Sequence, residues 1–149
     1  MPDRPAYRLD HVHVLVADRE RAARWYAQTL GFTELERAAD PYGPLVVSGD
    51  GGVTGLALFT SRVPSEPNRV VAFRVDGEEF LAFAARLLRH ELRGPSGSRL
   101  RPEDAVDHDD VLSYYFADPD GNAYELLTGD VERARSGLAR LSADSRIEL

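Results

Sequence analysis

Two histidines one residue apart, His11 and His13, and a carboxylate near the other end of the chain, Glu125, are the residues best placed to do chemistry. In the run Leu9-Asp10-His11-Val12-His13-Val14-Leu15-Val16, strand alternation sends His11, His13 and Leu15 to one face and three valines to the other. Imidazole exchanges protons near neutral pH and donates nitrogen to metals, so such a pair suits general-base catalysis or ion binding. Glu125 sits in Ala123-Tyr124-Glu125-Leu126-Leu127, apolar on both faces. An ionised carboxylate there is costly unless it is paired, hydrogen-bonded or bound to a cation. His13 is the candidate catalytic base, with Glu125 tuning it or its neighbour His11. Each residue also has a plain structural reading: a strand histidine bonded to nearby backbone, or a carboxylate in an ion pair with His11 or an arginine.

Composition narrows the chemistry. The chain has 149 residues and no cysteine, so disulfides, thiolate metal sites and thiol nucleophiles are excluded, and a metal would have to be held by His and carboxylate. All 18 basic residues are arginine, which removes lysine Schiff-base chemistry. A net charge of −7 with scattered arginines speaks against nucleic acid as a partner. No stretch approaches the ~20 apolar residues of a membrane span. Met1-Pro2-Asp3-Arg4 lacks the pattern of a secretory signal, so a cytoplasmic location and no membrane partner are expected.

The elements that must position these residues occur twice. Ala22, Trp25, Tyr26, Thr29 and Leu30 fall at helical spacing, and Phe80, Phe83, Ala84, Leu87 and Leu88 repeat it 58 positions later (80 − 22 = 58). Each stripe follows an apolar strand. The first module, 9–62, reads as a strand to Val16, a helix capped by Asp18 and ended by Gly31, and strands over 32–36, 45–48 and 56–60. Turns are expected at 40–44 and 49–52, and a proline-rich linker at 63–68. The second module, 69–129, reads as a strand over 69–75, a helix over 77–92, and a mostly looped, lid-like segment over 93–110 with one short strand. Strands 111–117 and 123–128 follow, joined by the tight turn Asp118-Pro119-Asp120-Gly121-Asn122. Residues 130–149 give a short amphipathic helix through Val131, Ala134, Leu138 and Leu141, then a polar tail from Ser142. The expected fold is α+β: one domain of two βαβββ modules forming a half-open curled sheet, with a short C-terminal helix.

The opening stretch 9–18 with Trp25-Tyr26 and Leu30-Gly31-Phe32, and above all Ser113-Tyr114-Tyr115-Phe116-Ala117-Asp118-Pro119-Asp120-Gly121-Asn122-Ala123-Tyr124-Glu125-Leu126, resemble the vicinal-oxygen-chelate superfamily. It holds glyoxalases, extradiol dioxygenases, fosfomycin-resistance transferases and bleomycin-resistance proteins. The resemblance implies a cup that takes a small organic molecule, often completed in a homodimer. It also implies one divalent ion, Zn, Fe, Mn or Ni, with His11 and Glu125 as its ligands. At the other two ligand positions this chain has Val70 and Ala57, so the implied metal site is degenerate.

Two functions follow. In one, the chain sequesters or presents a small molecule without metal, with Tyr114, Tyr115, Arg74 and His108 as candidate contacts. In the other, it is a metal-dependent lyase or extradiol-type dioxygenase in which His13 or His108 supplies the third ligand.

Overall fold

The computed structural model describes residues 9–35, 44–61 and 69–145. The linker read over 63–68, the N-terminal residues 1–4, the end of the tail beyond 145, and the 36–44 loop apart from Pro44 lie outside the described residues. The chain forms two compact units, Met1–Ser65 and Glu66–Leu149.

In the first unit, β1 (His11–Val16) leads into α1 (Arg19–Leu30), and β2 (Thr33–Glu34), β3 (Leu45–Ser48) and β4 (Gly55–Thr60) follow. They make one open mixed sheet in the order β1-β4-β3-β2, with β1 and β4 parallel and the other pairs antiparallel. The Asp18 carboxylate accepts from the amide of Arg21 at 2.9 Å, satisfying a free donor at the start of α1. That bond also lowers the Asp18 pKa. Gly31, at φ 71°, ends the helix by donating back to the Ala27 carbonyl at 3.0 Å. The helix buries Ala22, Ala23, Tyr26 and Thr29. Ala23 therefore joins the stripe, while Trp25 is only half-buried.

Between β3 and β4 the chain turns on its own side chains. Asp50 accepts from the Thr54 hydroxyl at 2.6 Å, the Thr54 amide at 2.9 Å and the Ser48 hydroxyl at 2.8 Å. These donors hold its pKa down at about 2.

The second unit repeats the plan with β5 (Val70–Arg74), α2 (Gly77–Arg86), β6 (Val106–Asp107), β7 (Leu112–Ala117) and β8 (Ala123–Thr128), in the sheet order β5-β8-β7-β6. A C-terminal helix, α3 (Val131–Ser145), completes it. The core is a continuous series of rings. Phe80 lies 5.0 Å from Tyr114, Phe83 5.5 Å from both Tyr114 and Phe116, and Tyr124 5.7 Å from Phe116 and 5.8 Å from Phe73.

Two helix boundaries differ from the sequence reading. α2 stops at Arg86, not Leu92, and its C-cap, Leu87, keeps right-handed angles of φ −61° and ψ −21°. Its last turn tightens into three-residue bonds, Leu87 to Ala84 and Leu88 to Ala85, both 3.2 Å. Leu88 consequently leaves the apolar stripe and is 48% exposed. The C-terminal helix is longer than expected and absorbs Ser142–Ser145, a stretch with no glycine or proline to break it. Ala134 is buried, and Gly137 lies so close to Leu81 of α2 that a methyl group there would collide with it.

The 93–110 segment is mostly loop, with a 3-10 turn at Pro102–Asp104 before β6. It is tied down by the Ala117 amide on the Arg93 carbonyl (3.0 Å) and the Leu100 amide on the Leu92 carbonyl (2.7 Å). At the β7–β8 turn Gly121 takes φ 85°, and the buried Asp118 carboxylate accepts from the amides of Asp120 (2.9 Å) and Asn122 (2.8 Å).

Asp107 in β6 is held down at about 2 as well, chiefly by the Arg135 guanidinium. A carboxyl whose pKa falls on folding from 3.8 to about 2 binds its proton more readily in the unfolded chain. The stability that Asp50 and Asp107 contribute is therefore present at neutral pH and is lost as pH falls from about 4 to about 2. Urea midpoints should hold from pH 7 to 5 and drop across that window. Asp50→Asn combined with Asp107→Asn should flatten the drop.

Candidate functional site

In the first unit, the two histidines emerge from β1 on the face opposite the buried Val14 and Val16. His11 Nδ1 lies 2.6 Å from the Asp10 carboxylate, and its Nε2 lies 3.1 Å from His13 Nε2. The ring centres are 5.1 Å apart with planes inclined by 14°. That separation exceeds the nitrogen–nitrogen distance by nearly two ring radii, so the rings meet nitrogen to nitrogen, not face over face. One N–H···N hydrogen fits this geometry. With Asp10 accepting from His11 Nδ1–H, His11 Nε2 becomes the acceptor and His13 Nε2 the donor, which leaves His13 Nδ1 with its lone pair. Phe59 of β4 packs against His13, its ring centre at 4.6 Å.

In the second unit, alternation along β7 sends Tyr114 and Tyr115 to opposite faces. Tyr114 is 0% exposed, lies among Phe80 and Phe83, and donates its hydroxyl to the Pro102 carbonyl at 2.6 Å. Burial raises its pKa, the phenol staying neutral. It is a core residue and not the ligand contact expected from the sequence. Tyr115 lies on the open face. Its hydroxyl donates to Glu125 Oε1 at 3.2 Å and takes a hydrogen bond from His108 Nε2 at 3.1 Å. Desolvation and the Glu125 charge raise its pKa. The buried Ser113 hydroxyl also donates to Glu125 Oε1, at 2.6 Å. A polar chain His108–Tyr115–Glu125–Ser113 thus crosses the sheet. Among the described residues Glu125 Oε2 takes no hydrogen bond.

The sequence reading does not single out Ser113 or the hydrogen-bond chain through Tyr115, although alternation puts 113 and 115 on one face of β7, which the register extends to Glu125. Arg74, paired with Leu127 at the end of β5, shares that face but is exposed two positions beyond Glu125. The Tyr115 ring also walls a groove of about 350 Å³ with Pro95, Ser96, Arg99, Leu100 and Val106.

Strand register relates the two units position by position. Across β1 and β4, His11 faces Gly55 and His13 faces Ala57. Across β5 and β8, Val70 faces Ala123 and Ala72 faces Glu125. Val70 is thus the counterpart of His11, and Ala57 the counterpart of Glu125. Each sheet carries one donor and one aliphatic residue at these places. Among the described residues, no three His, Asp or Glu side chains gather closely enough to hold a metal ion. Nor does the histidine pair make such a site. An ion at about 2.0–2.1 Å from both nitrogens would lie to the side of the line along which their lone pairs point.

The model of the Glyoxalase/Bleomycin resistance protein/Dioxygenase superfamily matches residues 8–126. No curated protein matches the chain. Among solved structures, Oxidase ChaP-H1 is 31% identical, with a TM-score of 0.62, covering 83% of this chain and 96% of its own. TnmS3, an antibiotic binding protein from Streptomyces sp. CB03234, is 25% identical with a TM-score of 0.62, covering 85% and 99%. Oxidase ChaP-H2, at 24% identity, TM-score 0.65 and coverage of 83% and 94%, shares the fold.

Proposed function

Since this chain belongs to the Glyoxalase/Bleomycin resistance protein/Dioxygenase superfamily, we propose that it binds a small hydroxylated organic molecule without a metal ion, at Glu125, Tyr115 and His108. The observation that carries this reading is the engagement of both inherited donors by their own neighbours. His11 is shared between Asp10 and His13, Glu125 Oε1 is taken by two hydroxyls, and the family's remaining ligand positions are Val70 and Ala57. This donor set does not fit the divalent ion of the metal-dependent relatives. His13 and His108, the histidines offered as a third ligand, complete no three-donor cluster among the described residues.

What remains is a binding surface. Glu125 Oε2 accepts from a ligand hydroxyl, Tyr115 supplies an aromatic edge, and the adjoining groove falls in the size range of small-molecule pockets, about 300–1,000 Å³. The likeness to an antibiotic binding protein supports this reading. Among the described residues no helix is long and apolar enough to cross a membrane. We further propose that the protein works as a cytoplasmic homodimer.

Two measurements test the reading. Elemental analysis of protein purified without added metal, followed by titration with zinc, iron, manganese and nickel, should show no stoichiometric binding. Catechol, used as a probe, should shift the amide resonances of Ser113, Tyr115 and Glu125. Tight one-to-one metal binding that His11→Ala abolishes would overturn the metal-free reading.

The Asp10–His11–His13 chain favours a second reading, in which His13 Nδ1 takes a proton from a bound substrate and the protein is an enzyme. The 31% identity to an oxidase keeps company with it. Turnover lost in His13→Gln but kept in Glu125→Gln would select it.

A further inference from the structure

The C-terminal helix lies outside the span matched by the family, 8–126, yet one of its side chains reaches back to the residues flanking His108, Asp107 of β6 and Asp109. Arg135 grips Asp107 with both arms of its guanidinium, Nε to Oδ2 at 2.7 Å and Nη2 to Oδ1 at 2.8 Å. Nη2 also approaches the Asp109 carbonyl at 3.5 Å. Asp107 in turn accepts from the Asp109 amide at 2.9 Å. Asp109 stands at φ 73°, a left-handed conformation uncommon outside glycine that aspartate tolerates better than most residues. Between the two gripped residues sits His108. Its amide donates to the Val111 carbonyl at 2.9 Å, and its Nε2 meets the Tyr115 hydroxyl.

β6 is only two residues long and lies at the edge of its sheet, so backbone pairing alone holds this turn weakly. A bidentate arginine–carboxylate fork fixes orientation as well as distance.

We propose that Arg135 is a positioning residue: by clamping the 107–109 turn it holds the His108 imidazole against Tyr115, so that the appended helix sets the donor geometry at Glu125. The inference rests on the binding reading above only for its consequence in affinity. The placement of His108 stands apart from any ligand.

The test reads both. In Arg135→Ala the ring resonances of His108, assigned with His108→Gln, should move toward random-coil positions, while those of His11 and His13 stay in place. Catechol affinity should fall threefold to tenfold. The exchanged pair Asp107→Arg with Arg135→Asp restores the fork but leaves the Asp109 amide without its acceptor, so it should recover part of both changes, and Arg135→Lys, a point charge without the fork, should recover less. Arg133→Ala, on the same helix as Arg135, breaks the 3.7 Å pair with Glu78 of α2 and should leave His108 unmoved. Unmoved His108 resonances in Arg135→Ala overturn the proposal, as does an equal movement in Arg133→Ala. Should Arg135→Ala lose the helix, Arg135→Gln and the exchanged pair decide by the same resonances. If His108 moves while catechol binds no variant, wild type included, the clamp stands and the binding reading fails.

Discussion

Phe80→Ala should cost about 3–5 kcal/mol of unfolding free energy, the usual range for emptying a large aromatic from a closed core. Phe80 is 0% exposed and packs on Tyr114 at the start of the ring series that runs through Phe83, Phe116 and Tyr124 to Phe73. These neighbours come from α2 and three strands, so none can swing into the space without abandoning another ring contact. The cavity stays open. A loss of that size corresponds to a fall in Tm of about 10 °C or more for a chain of this length. Leu88→Ala is the matched control: it belongs to the same apolar repeat, but lying beyond the end of α2 it should change stability by less than about 0.5 kcal/mol. Urea unfolding of the two variants checks the pair, and similar losses for both would show that Leu88 is packed after all.

Glu125→Ala should weaken catechol binding about 10- to 100-fold, the worth of a hydrogen bond to a charged acceptor. The same change should reduce stability, because the buried Ser113 hydroxyl loses the acceptor it now meets at 2.6 Å. Glu125→Gln separates the two effects. An amide oxygen still accepts from Ser113 and Tyr115, so stability should be nearly restored, but the negative charge is gone and affinity should recover only in part. Calorimetric titration of both variants gives the answer. Equal affinities in wild type and Glu125→Ala would remove Glu125 from the site.

Much of this architecture is legible in the sequence, for local reasons. Asp18 and Gly31 are cap residues whose own chemistry starts and stops α1. The alternation over His11–Val16 separates imidazoles from valines, and Pro119-Asp120-Gly121 announces its turn. Other features depend on what lies across the fold. Trp25 and Ala23 compete for the buried side of α1, and helical spacing alone does not say which wins. α2 ends early as the chain after it tightens into three-residue bonds, which an apolar repeat does not register. At the site, alternation places Ser113 and Tyr115 on one face of β7, whereas their links to Glu125 and His108 depend on strand register and on the turn at Asp109. The fork from Arg135 to Asp107 spans 28 positions and joins two elements through side chains alone, so no local pattern records it.

The register equivalence between the sheets carries an evolutionary consequence. Val70 is 53% exposed, so a histidine could arise there with little burden on folding, whereas Ala57 is 1% exposed and a carboxylate there would have to be desolvated. The two gaps are therefore unequally reversible. A lineage drifting back toward ion-dependent chemistry has an open road through the second half of the chain and a closed one through the first.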